Sequence, residues 1–304
     1  MTHRLNLILL ALALAIGLPY YWFLLDNSGQ SLAAKPVTIA QLRQLAGSIP
    51  GEAPSAVEME RTAFRRIPGN LMVAGSGMKR KLVGYMGFRL PVRGGRPVMI
   101  ESGITPAIAA AQNAESFNLS AQARIDREMD GAGLILVTHE HPDHLGALAA
   151  HGGAALRQAA WLNPRQLAAK LPWNGAQPPA RLNGTMLQAV APGIVVIPAP
   201  DSHTPGSQLI YVRLANGREF LFAGDVSSFA QNWTELRGRS RLVETWYAPQ
   251  NRAEVFAWLK TIRALKAQAP GLLVVPGHDW EWLANPENHT GIGSGFPGAP
   301  RPYL

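Results

Sequence analysis

Three histidines and an aspartate crowd into His139-Glu140-His141-Pro142-Asp143-His144, directly after the apolar run Leu134-Ile-Leu-Val137. Such a short apolar run reads as a buried strand. An extended backbone beyond it aims residues two apart the same way, so His139 and His141 share one direction. Asp143 and His144, at the start of the next helix, address a neighbouring point. Imidazole and carboxylate are ligands for zinc and similar divalent ions. The chain contains no cysteine, which excludes disulfides, thiolate nucleophiles and iron–sulfur ligation. Any metal here is held by nitrogen and oxygen.

Three later apolar runs end in the same kind of residue. Ile194–Pro198 leads to Asp201-Ser-His203-Thr-Pro-Gly206, Phe220-Leu-Phe222 to Gly224-Asp225, and Leu272–Val275 to Pro276-Gly277-His278-Asp279. Ligands at the mouths of successive strands converge at one end of a sheet, and two metals a few ångströms apart form a hydrolytic centre. Asp201 and Asp279 flank ligands and either orient an imidazole or cap a turn or helix. Glu140 alternates away from its neighbours and is expected in solvent. His3, His151 and His289 lie outside the pattern and read as surface or packing residues. Trp173, Trp233, Trp246, Trp258, Trp280 and Trp282 read as core and pocket wall.

The rest of the chain supplies a layered α/β domain. Leu82, Met86, Phe88, Leu90 and Val92 alternate with polar positions, predicting a strand with one buried face. Val98–Ile100 is a short buried strand, Ser120 caps a helix running to about Met129, and Asn216-Gly217 is a hairpin turn between Leu209–Leu214 and Glu219–Phe222. A helix fits Arg252–Lys266. Short strands interleaved with helices indicate an α/β layered domain.

At the amino terminus, Leu5–Leu25 is 21 residues without a charge, about 31 Å as a helix and enough to cross a bilayer core. Tyr20, Tyr21 and Trp22 stand at its outer end as interfacial aromatics do. Residues 1–26 are therefore expected to be a transmembrane anchor, with the bulk of the protein on the extracytoplasmic side. The competing reading is a signal cleaved near Ser31-Leu32-Ala33. Residues 27–56 read as a linker and 57–304 as the folded domain.

The net charge of +8 is local. Nine Lys and Arg and no acidic residue fall between Arg61 and Arg96, and the remainder, 19 basic against 20 acidic, is nearly neutral. The stripe is expected at least partly on an exposed sheet face, where it is solvated, attracted to lipid headgroups or used to steer an anionic substrate. No nucleic-acid-reading module accompanies it, so a nucleic-acid partner is not expected.

In their order, His139-x-His141-x-Asp143-His144, His203-Thr-Pro-Gly206, Gly224-Asp225 and Gly277-His278 resemble the motif set of the metallo-β-lactamase superfamily over about residues 98–281. The resemblance implies a four-layer αββα sandwich with two divalent metals, zinc by expectation. It implies that His139, His141 and His203 hold the first metal and Asp143, His144 and His278 the second. Asp225 would bridge both, and Asp143 and Asp225 would be the catalytic carboxylates. A hydroxide between the metals, formed because zinc lowers the pKa of bound water to about 7, would attack the carbonyl of a lactone or other carboxylic ester. The alternatives are a β-lactamase-like amidase or phosphodiesterase on the same fold, or a non-catalytic metal-binding module.

Asp225 separates the chain from true class B β-lactamases, and the 26 residues after His278 are too few for the glutathione-binding region of glyoxalase II. The Gly277-His278-Asp279-x-Glu281 ending and the hairpin between His203 and Asp225 are most similar to the N-acyl-homoserine lactonase group. Two positions depart from the pattern. Glu101 stands where the family commonly has an aspartate. Ser228, followed by Phe229, stands where lactonases commonly place a substrate-contacting tyrosine, a role for which Tyr85 is the candidate.

Overall fold

The computed structural model describes residues 3–299. In chain order its strands are β1 (Glu58–Pro68), β2 (Arg80–Leu90), β3 (Val98–Ile100), β4 (Ser116–Phe117), β5 (Leu134–Leu136), β6 (Gln188–Ala191), β7 (Ile194–Pro198), β8 (Gln208–Arg213), β9 (Glu219–Gly224), β10 (Leu273–Pro276) and β11 (Gly293–Ser294). One sheet runs β11-β1-β2-β3-β5, with β4 against β1, and the other runs β10-β9-β8-β7-β6.

The two sheets face each other across a core of apolar side chains. Met86, Phe88 and Leu136 of the first meet Ile194, Ile210 and Phe222 of the second, and Phe88 and Phe222 meet edge-on at 5.0 Å. The outer face of the first sheet is covered by the helices Leu119–Gly131 and Pro142–His151, through Ile125, Met129, Leu145 and Leu148. The outer face of the second is covered by Ile39–Ala46 and Arg252–Gln268, through Leu42, Phe256, Leu259 and Ile262. Sheets covered on both faces give nearly continuous apolar strands, which is why β7 and β9 are buried throughout. The result is the αββα sandwich.

The strand β2 departs from expectation. Its even positions Met86, Phe88 and Leu90 enter the inter-sheet core and its odd positions Val83 and Tyr85 enter a second cluster with Val73, Ile104, Ala109 and Phe229. Both faces are buried, so the basic stripe is not spread over an exposed sheet face. Arg89 is pinned by Glu58 at 2.8 Å and Glu128 at 2.6 Å. Arg61 stacks over Trp280 at 3.8 Å, and Arg65 donates to the Gln112 carbonyl. Lys79, Arg80, Arg93 and Arg96 remain exposed beside the ends of β2. Long basic side chains can bury their stems and keep the charge paired or wet, so the sheet tolerates them between covered faces.

The amino-terminal helix His3–Tyr20 continues through a π-helical turn, Tyr21–Leu25, just after Pro19. A proline's missing N–H and a π-turn both re-aim a helix end. The most apolar 18-residue window of these 23 residues has a mean hydropathy of 2.1, and together they form a helix long and apolar enough to cross a membrane. Leu7, Ile8, Leu10, Ile16 and Leu18 are all exposed. The segment that follows, expected as a linker, is fastened to the domain. Its helix Ile39–Ala46 opens on a Thr38/Gln41 capping box, and Leu42 is fully buried. Lys260 Nζ donates to the carbonyls of Gln30 and Leu32, and Arg252 to those of Asp26 and Ser28.

Two glycines let the strand ends approach. A Cβ on Gly224, which has φ +51°, would meet Thr138 Oγ1 at 2.5 Å, and one on Gly277 would meet Asp225 Oδ1 at 2.7 Å. Any larger residue at either position would push the ends of β5, β9 and β10 apart.

Candidate metal centre

The strand ends deliver all seven expected side chains to one place. His139 and His141 follow β5, Asp143 and His144 open the next helix, His203 follows β7, Asp225 follows β9 and His278 follows β10. The ligand atoms of His139, His141, His203 and Asp225 lie within 4.8 Å of one another, as do those of Asp143, His144 and His278. Asp225 reaches both groups. Its Oδ2 is 3.4 Å from His203 Nε2 and 3.8 Å from His139 Nε2, while its Oδ1 is 3.1 Å from His278 Nε2.

The donor set fits two divalent cations. His141 Nδ1 lies 3.1 Å from both His139 Nε2 and His203 Nε2. Three nitrogens facing one another cannot all be satisfied by shared protons, whereas one cation among them satisfies every lone pair. Nε2 of His144 is buried without a hydrogen-bond partner. Burial, with neighbouring imidazoles and Arg239 adding to it, holds His139 and His203 well below the usual histidine range, which keeps both neutral and ready to ligate. Burial would raise Asp225, but the His278 and Arg239 charges outweigh it and hold the carboxylate ionised.

The outer nitrogens of His278 and His203 each have a hydrogen-bond partner, the arrangement that fixes imidazole tautomers at metal sites. His278 Nδ1 donates to the Gly84 carbonyl and His203 Nδ1 to Gln250 Oε1, both at 2.8 Å. Glu101 lies 3.2 Å from His144 Nδ1 and also accepts from Thr138. The glutamate that departs from the family pattern thus reaches the ligand from its own position.

Arg239 was not anticipated. It is buried, and its Nη2 donates to Asp225 Oδ2 at 2.6 Å and to Ser228 Oγ at 2.7 Å. Ser228 in turn donates to Asp225 Oδ1 at 3.1 Å. The available signal was the alternation Arg237-Gly-Arg239-Ser-Arg241, which lies outside the basic stripe.

Other expectations are corrected or resolved. Glu140 is not free in solvent, because it accepts from Gly206 N at 2.9 Å and Thr204 Oγ1 at 2.8 Å and so ties the first ligand loop to the second. Asp201 pairs with Arg165 at 2.6 Å instead of orienting a histidine. Asp279 caps the helix Trp280–Ala284. Tyr85 is buried behind the centre, its ring edge-on to His278 at 5.6 Å. It does not replace the missing tyrosine in the cavity.

The cavity over the centre has a volume of about 510 Å³, within the range of small-molecule sites. His141, Asp143, Asp225 and His278 face it from the centre, while Ile67, Leu71, Met72, Val83, Leu242 and Val243 make it apolar on the other side. Arg65 and Arg239 also line it, and the buried Nε of each has no partner. None of the expected tryptophans lines it.

No protein-family model matches the chain, and no curated protein matches its sequence. Solved structures do match its shape. An N-acyl homoserine lactone hydrolase with the product N-hexanoyl-L-homoserine at its catalytic metal centre is 14% identical, with a TM-score of 0.59 over 75% of this chain and 95% of that one. A quorum-quenching N-acyl homoserine lactone lactonase is 13% identical, with a TM-score of 0.59 over 77% and 96%. An AiiA variant from B. thuringiensis with N-decanoyl-L-homoserine at the active site is 13% identical, with a TM-score of 0.57 over 75% and 95%.

The chain has the metallo-β-lactamase fold. At these identities the likeness carries architecture alone. In this metallo-β-lactamase-fold chain the seven side chains stand at one end of the paired sheets, under a half-apolar cavity.

Proposed function

We propose that this protein is a binuclear metal-dependent hydrolase of a lactone or other carboxylic ester, anchored by its amino-terminal helix with the domain on the extracytoplasmic side. The observation that carries the reading is Asp225, which offers one oxygen to each of two donor groups at the floor of a half-apolar cavity. His139, His141 and His203 would hold one cation and Asp143, His144 and His278 the other, with Asp225 between them. When bound, such ions supply Lewis acidity and a water acidic enough to ionise near neutral pH.

The protein's own groups do the rest. Gln250, Gly84 and Glu101 orient imidazoles. Arg239 and Ser228 hold the Asp225 carboxylate with one oxygen toward each donor group, as a residue shared by two cations would need. The apolar wall of Leu71, Met72, Leu242 and Val243 receives an acyl tail and excludes water from it. Solved relatives in shape that hold N-acyl homoserine products support an ester or lactone.

A second reading, a phosphodiesterase, is favoured by Arg65 and Arg239, whose unpartnered Nε atoms suit a phosphate. Elemental analysis of protein purified without chelator is expected to approach two metals per chain. Hydrolysis across lactones, esters, a cephalosporin and a phosphodiester then separates the readings. Two bound metals with no turnover of any substrate would sink the hydrolase.

A further inference from the structure

The anchor and the cavity are built on the same two stretches of chain. On one stretch, Asn70 donates to the Tyr20 hydroxyl at 3.4 Å and Gly75 N to the Leu24 carbonyl at 3.1 Å. On the other, Trp246 meets the Phe23 ring at 5.1 Å, and Arg241 stacks over Trp22 at 4.1 Å while pairing with Asp26 at 2.6 Å. Between these contacts lie Leu71 and Met72 of the first stretch and Leu242 and Val243 of the second, which wall the cavity. A helix that leaves the bilayer here therefore sets the cavity walls against its surface.

The exposed residues around this junction have membrane-interface chemistry. Tyr21, Trp22, Met78, Trp246 and Tyr247 are 49% to 77% exposed. Tyr247 also lines the cavity, so at 77% exposure it stands at the mouth. Lys79 and Arg80 are exposed next to Met78. Aromatic rings and long cationic side chains together fit the headgroup level of a bilayer, where apolar bodies sink and polar ends stay wet. An exposed apolar group of this size on a domain with a covered core marks an interaction surface.

We propose that the mouth of the cavity lies on the membrane surface and that the enzyme takes an amphiphilic ester or lactone, its apolar tail dissolved in the lipid, directly from the outer leaflet. The proposal rests on the hydrolase reading for its substrate and on the anchor alone for its surface. Arg65 and Arg239 would meet the polar end of such a molecule inside the cavity, and Leu242 and Val243 its tail.

Because the chain has no cysteine, single cysteines report location cleanly. Full-length protein carrying Met78→Cys, Tyr247→Cys or, at the opposite end of β9 from Asp225, Asn216→Cys is labelled with an environment-sensitive dye. It is then reconstituted in phosphatidylcholine vesicles containing a brominated-chain lipid. The dyes at 78 and 247 are expected to be quenched several-fold more than the dye at 216; equal quenching at all three overturns the surface, whatever the activity. In the second arm, Met78→Glu with Trp246→Ser is expected to lower turnover of a long-chain ester in vesicles roughly tenfold. A short, water-soluble ester should be cleaved as by the unmodified protein. An equal loss on both esters would overturn capture from the leaflet. Should the unmodified, metal-loaded protein cleave neither, the hydrolase reading fails together with the substrate half of the proposal, and quenching alone decides the surface.

Discussion

The two halves of the candidate metal centre are made of different material. His139, His141 and His203 give the first half three nitrogens, and His203 is fixed by a chain of bonds through Gln250 and Glu244 to Arg252. Asp143, His144 and His278 give the second half two nitrogens and an oxygen, and its outer contacts, Glu101 and the Gly84 carbonyl, belong to the first sheet. Nitrogen-rich sites favour zinc-like ions, and carboxylate shifts preference toward harder ones. The comparison teaches that the halves should empty separately, the second before the first, with Asp225 as their common member.

The sharpest way to break the comparison is to remove what the halves share. Asp225→Ala is expected to lower kcat/KM by about 10³-fold or more and to deplete both metals, as read by kinetics and elemental analysis. A variant that kept both metals would show the halves to be independent. Next, His203→Ala should leave about one metal per chain and cost roughly 10²-fold in activity; retention of two would remove His203 from the first half. Glu101→Gln should weaken only the second metal, by about 10- to 100-fold in a chelator titration. Gln250→Ala should do the same to the first half, about tenfold, and a loss of the same metal in both variants would collapse the distinction.

The smallest effect lies away from the centre. Burial would raise the Asp26 carboxyl, but its bonds to Arg241 and Ser28 prevail and hold it below the usual aspartate value. A group depressed in the folded state stabilises above its unfolded pKa, near 4, and that stability is lost as pH falls through the lower folded value. Asp26→Asn should therefore lower Tm by about 2 °C or less at pH 7, and the difference should shrink as pH falls below about 4.

The seven clustered side chains were legible because metal-binding chemistry forces a pattern: strand, short turn, donor, four times in order. The buried strands β7 and β9 were legible as short continuous apolar runs. Other features turned on contacts far apart in sequence. Arg239 is one surface-type residue until the fold sets it against Asp225, 14 positions away. Glu140 alternates outward along its own strand end, yet the loop of Gly206, 66 positions on, closes over it. The faces of β2 depended on helices and loops that cover the first sheet. The strand β1 hid its alternation behind a bulge between Arg61 and Ala63 and behind arginines that the sheet partly buries.

The seam between anchor and domain also dictates where the chain can be shortened. Arg241 and Arg252 are bonded to the carboxylate and carbonyl of Asp26, and Arg252 and Lys260 to the carbonyls of Ser28, Gln30 and Leu32. A protein beginning at Ala34 strips three cations of these acceptors at once, and Arg252 also holds the Arg239 carbonyl. A protein beginning at Asp26 discards the greasy helix and keeps every one of the bonds, which makes it the form to purify for crystals.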